Sequence, residues 1–177
     1  MKIFILLPLI ALSVSIAIAQ VGAHDKAQLD PRTTTTSPLQ CGYEIIVRTG
    51  DVGYAGTDAI ISLTLSSGDG TTLSIKDLAS WGTKGPGYDY FERGNTDKLS
   101  GIGNCMTPEL CSMLLESDHS GKNPGWFVDY IEVIERTAVF TKVSHMFKLN
   151  QWLNKYPYRL YVYRDPCSSL PRVTAMP

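Results

Sequence analysis

Two turns rich in glycine and aspartate are the segments of this chain whose residues could do chemistry. The first spans residues 49–59 and runs straight into an alternating apolar segment at 60–65. The second spans residues 117–125 and leads into the apolar segment 126–133. Such turns place carboxylates and free backbone carbonyls at one end of a sheet, and these oxygens are the ligands of hard cations. The pair predicts a cation site or a docking surface rather than a centre for bond breaking.

The motifs of common catalytic sites are missing from the sequence. It contains no Gly-x-Ser-x-Gly elbow, no His-Glu-x-x-His pair and no Gly-Lys phosphate loop. Asp118 and His119 are adjacent, so they cannot orient each other as the members of a catalytic triad do. Asp89 and Glu92 are expected on a strand at odd separation, where they would face opposite sides. We therefore expect a protein that is not an enzyme, with a hydrolase as the less favoured alternative.

Composition and charge indicate a single folded domain with no nucleic-acid partner. The 177 residues are enough for one domain with a sizeable core. The net charge of -1 and the scattered lysines and arginines argue against nucleic acid, which requires a basic surface. The oligomeric state is left open.

The N-terminus has the pattern of a targeting segment. Lys2 precedes an apolar stretch from Ile3 to Ile18, and Ala17-Ile18-Ala19 fits a small-x-small cleavage site. We interpret residues 1–19 as a signal peptide, with a short transmembrane anchor as the alternative. Residues 20–40 form a polar, Thr- and Pro-rich leader that we expect to be disordered. The mature chain is therefore expected to be secreted, or to lie in the lumen of the endoplasmic reticulum.

The rest of the chain is punctuated by Gly, Pro, Asn and Asp into short segments with the alternation of β-strands. Tyr43, Ile45 and Val47 alternate with polar neighbours, as strands with one buried face do. About eight short strands without a long helix predict an all-β, antiparallel β-sandwich. A single helical turn is expected at 149–155. Beyond the segments at 43–48, 61–65 and 71–75, strands are expected at Tyr88–Arg93, Leu110–Ser117, Trp126–Glu135, Thr137–Phe147 and Tyr158–Tyr163.

Four cysteines allow three disulfide pairings in an oxidising compartment. Cys105 and Cys111 flank a short turn, and Cys41 and Cys167 bracket the folded region. We therefore predict the bonds Cys105–Cys111 and Cys41–Cys167. A zinc site is the rival interpretation, but the spacing lacks a paired Cys-x-x-Cys.

Several motifs occur in a fixed order along residues 41–167. They are Tyr43–Gly50, Ala55–Ala59, Gly85–Asn95, Ser117–Asp118, Pro124–Val133 and Gln151–Leu153. Together they resemble the motifs of the PLAT (lipoxygenase-homology) domain, and the chain is most similar to the plant single-domain secreted type, in particular the embryo-specific protein 3 family. The remaining residues 168–177 are expected to form a flexible tail.

The resemblance implies a sandwich of two four-stranded sheets that docks to a membrane surface or to a partner protein and carries no catalysis. It also implies a role in plant embryo or seed development or in stress responses. Some PLAT domains bind calcium, and their motifs carry over to Gly56, Thr57, Asp58, Asn95 and Asp118, with Asp97 and the His119 carbonyl as weaker candidates.

Two observations bear on the calcium hypothesis. Calcium-binding relatives often have an acidic residue two positions before the glycine, where this chain has Tyr54. The alternative is that Asp58 and Asp118 accept backbone N–H bonds and stabilise their own turns.

Exposed aromatic residues beside cations are candidate membrane anchors. Trp81 lies in a Gly-rich segment close to Lys84, so the pair is a candidate docking site for a membrane or partner. The alternative is that Trp81 packs over the end of the sandwich. Trp126 is expected in the core and Trp152 as a lid at one end of the sandwich. A second class of function is a small lipid or ligand carrier with a pocket between the sheets.

Overall fold

The computed structural model describes residues 39–137, 142–155 and 159–169. The predicted signal peptide, nearly all of the predicted leader and most of the predicted tail lie outside these residues. Within the described part, no helix has the length and apolar character needed to cross a membrane. The strands are β1 (Gln40–Thr49), β2 (Ile61–Ser67), β3 (Thr72–Ile75), β4 (Thr96–Asn104), β5 (Leu110–Ser117), β6 (Trp126–Arg136), β7 (Lys142–Leu153) and β8 (Tyr161–Arg164), with 3-10 helices at Leu78–Trp81 and Pro166–Ser169.

The strands form two four-stranded antiparallel sheets, which confirms the predicted fold class. The first sheet has the order β4-β1-β6-β7, and the second has the order β3-β2-β5-β8. Alternate residues of β1 and β2 are buried, because one face of each strand covers the interior. Trp126 is fully buried in the core, as predicted, and its indole N–H donates to Thr49 Oγ1 at 2.9 Å. The two sheets therefore pack face to face through their inward side chains.

Two predicted elements are wrong, and one strand was not predicted. Residues 88–93 form a loop instead of a strand, and β4 follows it at Thr96–Asn104, where no strand was expected. The expected helical turn at 149–155 is wrong, because β7 continues as a strand to Leu153.

The connections between strands gather at two opposite ends of the sandwich. Three connections meet at what we call the loop end, namely 50–60, 76–95 and 118–125, and β7 ends and β8 begins there too. The strand pairs Ile61 with Ser117 and Trp126 with Leu153 border this end. The opposite end contains all four cysteines, so we call it the disulfide end.

The predicted cysteine pairing is wrong. Cys41 bonds Cys105 with a Cα–Cα distance of 4.9 Å, and Cys111 bonds Cys167 at 5.1 Å. The reason is strand order: β1 lies beside β4 and β5 lies beside β8, so each bond joins a strand to the residues that directly follow its neighbour in the sheet. The turn between Cys105 and Cys111 instead crosses from the first sheet to the second. Because the described residues include no free cysteine, none of these thiols is available as a zinc ligand.

Candidate functional site

The two Gly/Asp turns meet at the loop end, as the sequence led us to expect. The Asp58 N–H donates to the Asn123 carbonyl at 3.1 Å, and the Asn123 N–H donates to Asp58 Oδ2 at 2.9 Å. The Asp118 N–H donates to the Ile60 carbonyl at 3.1 Å, and the Ile60 N–H returns a bond to Asp118 Oδ1 at 3.0 Å. Both aspartates therefore accept backbone N–H bonds across the two turns, which is the stabilising role considered as the alternative to calcium binding.

Asp118 is committed to its own turn. Its Oδ1 also accepts the Ser120 N–H at 2.9 Å, and hydrogen bonds from Ser120, first from its hydroxyl, lower the pKa of the Asp118 carboxyl. The adjacent His119 turns to Asn154, with 2.6 Å between His119 Nδ1 and Asn154 Oδ1. Asp118 and His119 thus have separate partners.

An acidic cluster unites the loops 50–60 and 76–95. Asp58, Asp89 and Glu92 each bring one carboxylate oxygen within 4.8 Å of the others. The expectation that Asp89 and Glu92 face opposite sides of a strand is wrong, because residues 88–93 form a loop that turns both carboxylates toward Asp58. We call these three residues the acidic cluster. No motif in the sequence signalled it, since its members become neighbours only when two loops meet.

The acidic cluster concentrates negative charge. Glu92 is half-buried, and its burial, followed by the charges of Asp89, Asp58 and Asp97, raises the pKa of its carboxyl. A bound cation would offset this repulsion. Two oxygens bound to one calcium ion lie at most about 5 Å apart, so the spacing of the cluster fits a calcium ion. The three carboxylates would supply part of the six to eight oxygen ligands that calcium takes.

Asp97 organises the loop that carries two of these carboxylates. Its side chain is buried and accepts the Tyr88 hydroxyl at 3.0 Å and the Phe91 N–H at 2.8 Å. The Phe91 ring packs against the core residue Trp126, with 5.1 Å between ring centroids. Asp97, a weaker candidate ligand from the sequence, therefore acts here as a positioning residue for the loop.

The remaining predicted ligands lie around the acidic cluster or apart from it. Gly56 lies beneath Glu92, since a Cβ added at Gly56 would be 3.1 Å from Glu92 Oε2. Thr57 is buried, and its Oγ1 accepts the Ala59 N–H. The Asn95 carbonyl accepts the Thr49 N–H, and its side-chain amide donates to the Tyr88 hydroxyl at 3.4 Å. Asp58 is therefore the only predicted ligand whose carboxylate belongs to the acidic cluster.

The predicted anchor Trp81 lies along the side of the sandwich. The next residue, Gly82, bridges Leu99 in the middle of β4, and the half-buried indole packs over Gly101. Lys84 is exposed and lies 5.8 Å from the centroid of the Tyr88 ring. Trp81 therefore packs against the sandwich instead of projecting from it, but along the side and not over the end, where the alternative had placed it.

Tyr54 is the aromatic residue that projects from the loop end. Its side chain is 88% exposed, and its backbone has a φ of 63°. It borders a depression of about 210 Å³ that it shares with Gly56 and Glu92. It also borders a second depression of about 460 Å³ that contains Lys122 and Lys155. Tyr54 thus lies between the depression that contains Glu92 and the depression that contains Lys122 and Lys155. The sequence did not predict this position.

Comparisons with known proteins agree with this architecture. Residues 43–163 match the PLAT/LH2 domain. PLAT domain-containing protein 1 of Arabidopsis thaliana is 37% identical over 92% of this chain and 84% of its own length. PLAT domain-containing protein 2 of the same plant is 42% identical over 72% of this chain and 71% of its own length. A solved lipoxygenase, Delta413-417:GS LOX, superposes with a TM-score of 0.53 and 25% identity over 70% of this chain and 16% of its own. The chain therefore belongs to the PLAT/LH2 domain family, and its relatives include plant PLAT domain-containing proteins.

Proposed function

We propose that this protein is a secreted, non-catalytic docking module that binds a membrane surface through its loop end, and that calcium tunes the binding. The observation that carries the proposal is the acidic cluster beside the exposed Tyr54. The alternative docking target is a partner protein, and the experiment below distinguishes the two. A role in plant embryo or seed development or in stress responses stays a prediction.

The calcium part of the proposal rests on charge. Three carboxylates within 4.8 Å repel one another, and the raised pKa of Glu92 reflects this repulsion together with burial. Both contributions disfavour the cluster when it is empty and fully ionised. Calcium would neutralise the carboxylates and lower the negative potential that the loop end presents to anionic headgroups.

The membrane part rests on Tyr54 and two lysines. A tyrosine ring suits the boundary between headgroups and acyl chains, because it joins an apolar body to a polar tip. Tyr54 is held at positive φ, a conformation that costs a non-glycine residue about 1 kcal/mol or more. Lys122 and Lys155 on its other side complement anionic headgroups.

Secretion and the lack of catalysis have separate support. Two disulfides suit an oxidising compartment, which agrees with the predicted signal peptide. His119 bonds Asn154 instead of a nucleophile or an orienting carboxylate, so it lacks the partners of a catalytic base.

Vesicle sedimentation tests the proposal. The mature, disulfide-bonded protein is mixed with vesicles of phosphatidylcholine, with or without phosphatidylserine, in about 1 mM calcium or in chelator, since extracellular calcium modules work in this range. We expect sedimentation with the anionic vesicles in calcium and little in chelator. Failure to sediment with either vesicle in calcium would overturn membrane docking and favour a protein partner.

Matched variants separate the two parts. Asp89→Asn combined with Glu92→Gln should abolish the calcium requirement and the heat of calcium binding, whereas Glu109→Gln removes an exposed carboxylate near the disulfide end and should change neither. Tyr54→Ala should weaken vesicle binding but leave calcium binding unchanged. Ile102→Ala removes a side chain that is 73% exposed on the outer face of the first sheet, and it serves as the control for Tyr54.

A further inference from the structure

The outer face of the second sheet is covered almost entirely by hydroxyl groups. Because Leu63, Leu115 and Val162 face the core in register, the residues on either side of each point outward. All of these outward residues carry a hydroxyl except Leu114 and Glu116. We call this surface the hydroxyl face; its residues are Ser62, Thr64, Ser66, Thr72, Ser74, Leu114, Glu116, Tyr161 and Tyr163, while Ser112 shares their register but is buried.

The strand register arranges the hydroxyl face in rows that cross the sheet. One row contains Tyr163, Leu114, Thr64 and Ser74, which are successive partners in adjacent strands. Within it, the Thr64 hydroxyl donates to Ser74 Oγ at 3.3 Å. Neighbouring strands are about 4.8 Å apart, so the hydroxyls of Thr64 and Ser74 lie side by side, and Leu114 separates them from Tyr163.

Two exposed tyrosines form one side of this face. Tyr161 and Tyr163 are 44% and 52% exposed, and alternate residues of a strand are about 7 Å apart. The Tyr161 hydroxyl accepts from Arg159 at 2.8 Å, and the Tyr163 hydroxyl donates to Asp165 at 3.3 Å. The Arg159 guanidinium also lies over the Tyr161 ring, 5.7 Å from its centroid. Because each ring is held at its hydroxyl, ordering the rings on binding carries a low entropic cost.

Charge decides which partner the hydroxyl face complements. Among the outward residues of its four strands, Glu116 alone carries a charge. Arg159 and Asp165 border the face, where each is bonded to a tyrosine hydroxyl. One guanidinium that is already bonded in this way does not form the basic patch that the phosphates of a membrane or a nucleic acid require. It does offer both donors and acceptors to a partner that is itself rich in hydroxyls.

We infer that the hydroxyl face binds a neutral polysaccharide. The Tyr161 and Tyr163 rings stack on the apolar faces of sugar rings, and the serine and threonine hydroxyls exchange hydrogen bonds with sugar hydroxyls. An extended, uncharged chain lying along the sheet matches a surface that offers many hydroxyls and, among its outward residues, a single charge at Glu116. This site is separate from the loop end and does not depend on calcium.

Binding to cellulose and to soluble xyloglucan tests the inference. The mature protein is sedimented with microcrystalline cellulose and run in native gels that contain xyloglucan. The deciding variant is the double substitution Tyr161→Ala and Tyr163→Ala, and Tyr54→Ala is the control for an exposed tyrosine at another site. We expect the wild type to bind at least one of the two glucans. The double variant should bind about tenfold more weakly, as when aromatic anchors of an interface are removed.

Three results would overturn the inference: no binding of the wild type to either glucan, unchanged binding of the double variant, or an equal loss for Tyr54→Ala. Displacement of the protein from cellulose by phosphatidylserine vesicles would also overturn it, because the face would then serve a membrane. If the double variant melts earlier than the wild type, Thr64→Val becomes the deciding variant, since it removes a central hydroxyl and keeps the shape of the side chain.

Discussion

The contact between the two Gly/Asp turns can be tested at a single glycine. Gly121 has a φ of 78°, and a Cβ added there would lie 2.5 Å from both the Cβ and the carbonyl oxygen of Asp58. Gly70, in the connection between β2 and β3, has a φ of 89° and no atom within 4 Å of an added Cβ. The substitutions Gly121→Ala and Gly70→Ala therefore share the backbone strain, while only the first creates a clash.

The magnitude follows from this difference. An alanine at positive φ costs about 1–2 kcal/mol, partly offset by about 0.4–1 kcal/mol from the smaller entropy of the unfolded chain. Both contributions apply at both glycines, so they cancel in the comparison. The clash at Gly121 involves backbone that must move, which typically costs about 1–3 kcal/mol. We expect Gly121→Ala to lower the free energy of unfolding by this amount more than Gly70→Ala does.

Calcium binding should depend on the same contact between the two turns. Moving the 118–125 loop pulls the Asn123 N–H away from Asp58 Oδ2 and shifts Asp58 within the acidic cluster. Calcium affinity should therefore fall in Gly121→Ala and stay at the wild-type value in Gly70→Ala.

Urea unfolding followed by tryptophan fluorescence measures the stabilities, provided that the slope with urea is the same for all variants. Calorimetry measures calcium binding. Equal loss of stability in the two variants would refute the contact between the turns. A normal calcium affinity in a destabilised Gly121→Ala would refute the role of that contact in the site.

Three further predictions concern the core and the disulfide end. Replacing both Cys41 and Cys105 by serine should cost about 4 kcal/mol of stability, because the bond closes a loop with a sequence separation of 64, and peptide mapping without reduction should recover this pair. Burial raises the pKa of the Glu135 carboxyl, so the stability that its protonated form contributes is present below the ordinary glutamate pKa and is lost as pH rises through the folded-state pKa. The urea midpoint of Glu135→Gln relative to that of the wild type should therefore be higher at pH 8 than at pH 4. Trp126→Phe leaves the buried Thr49 hydroxyl without its donor, so thermal unfolding should show a loss of about 1–3 kcal/mol.

The strands that could be predicted were those with a clear local apolar pattern. Alternation at Tyr43, Ile45 and Val47 identified β1, whose alternate residues are buried. The segment Leu110–Ser117 was predicted with the bounds of β5, and nearly all of its residues are buried.

Strand β4 escaped prediction because its inward positions include glycines. A Cβ at Gly101 would lie 2.5 Å from the Trp81 ring, and a Cβ at Gly103 would lie 2.5 Å from Leu73 Cδ1. Side chains of Trp81 and Leu73 therefore fill the space beside these glycines. The sequence of β4 itself lacks apolar residues at these inward positions, so it does not show the alternation of a strand. Residues 88–93 misled in the opposite way, since Tyr90 and Phe91 pack against the core from a loop that Asp97 holds.

The sequence by itself determined the all-β class, the family and the two Gly/Asp turns, because each is recorded in short stretches of chain whose own pattern selects their structure. The tertiary structure alone decided which cysteines bond, which carboxylates form the acidic cluster and which hydroxyls share one face. Those three outcomes depend on strand order: β1 lies beside β4, and β8 lies beside β5. Such neighbours are selected by burying both sheets against each other, a free energy that belongs to the whole sandwich and to no single segment.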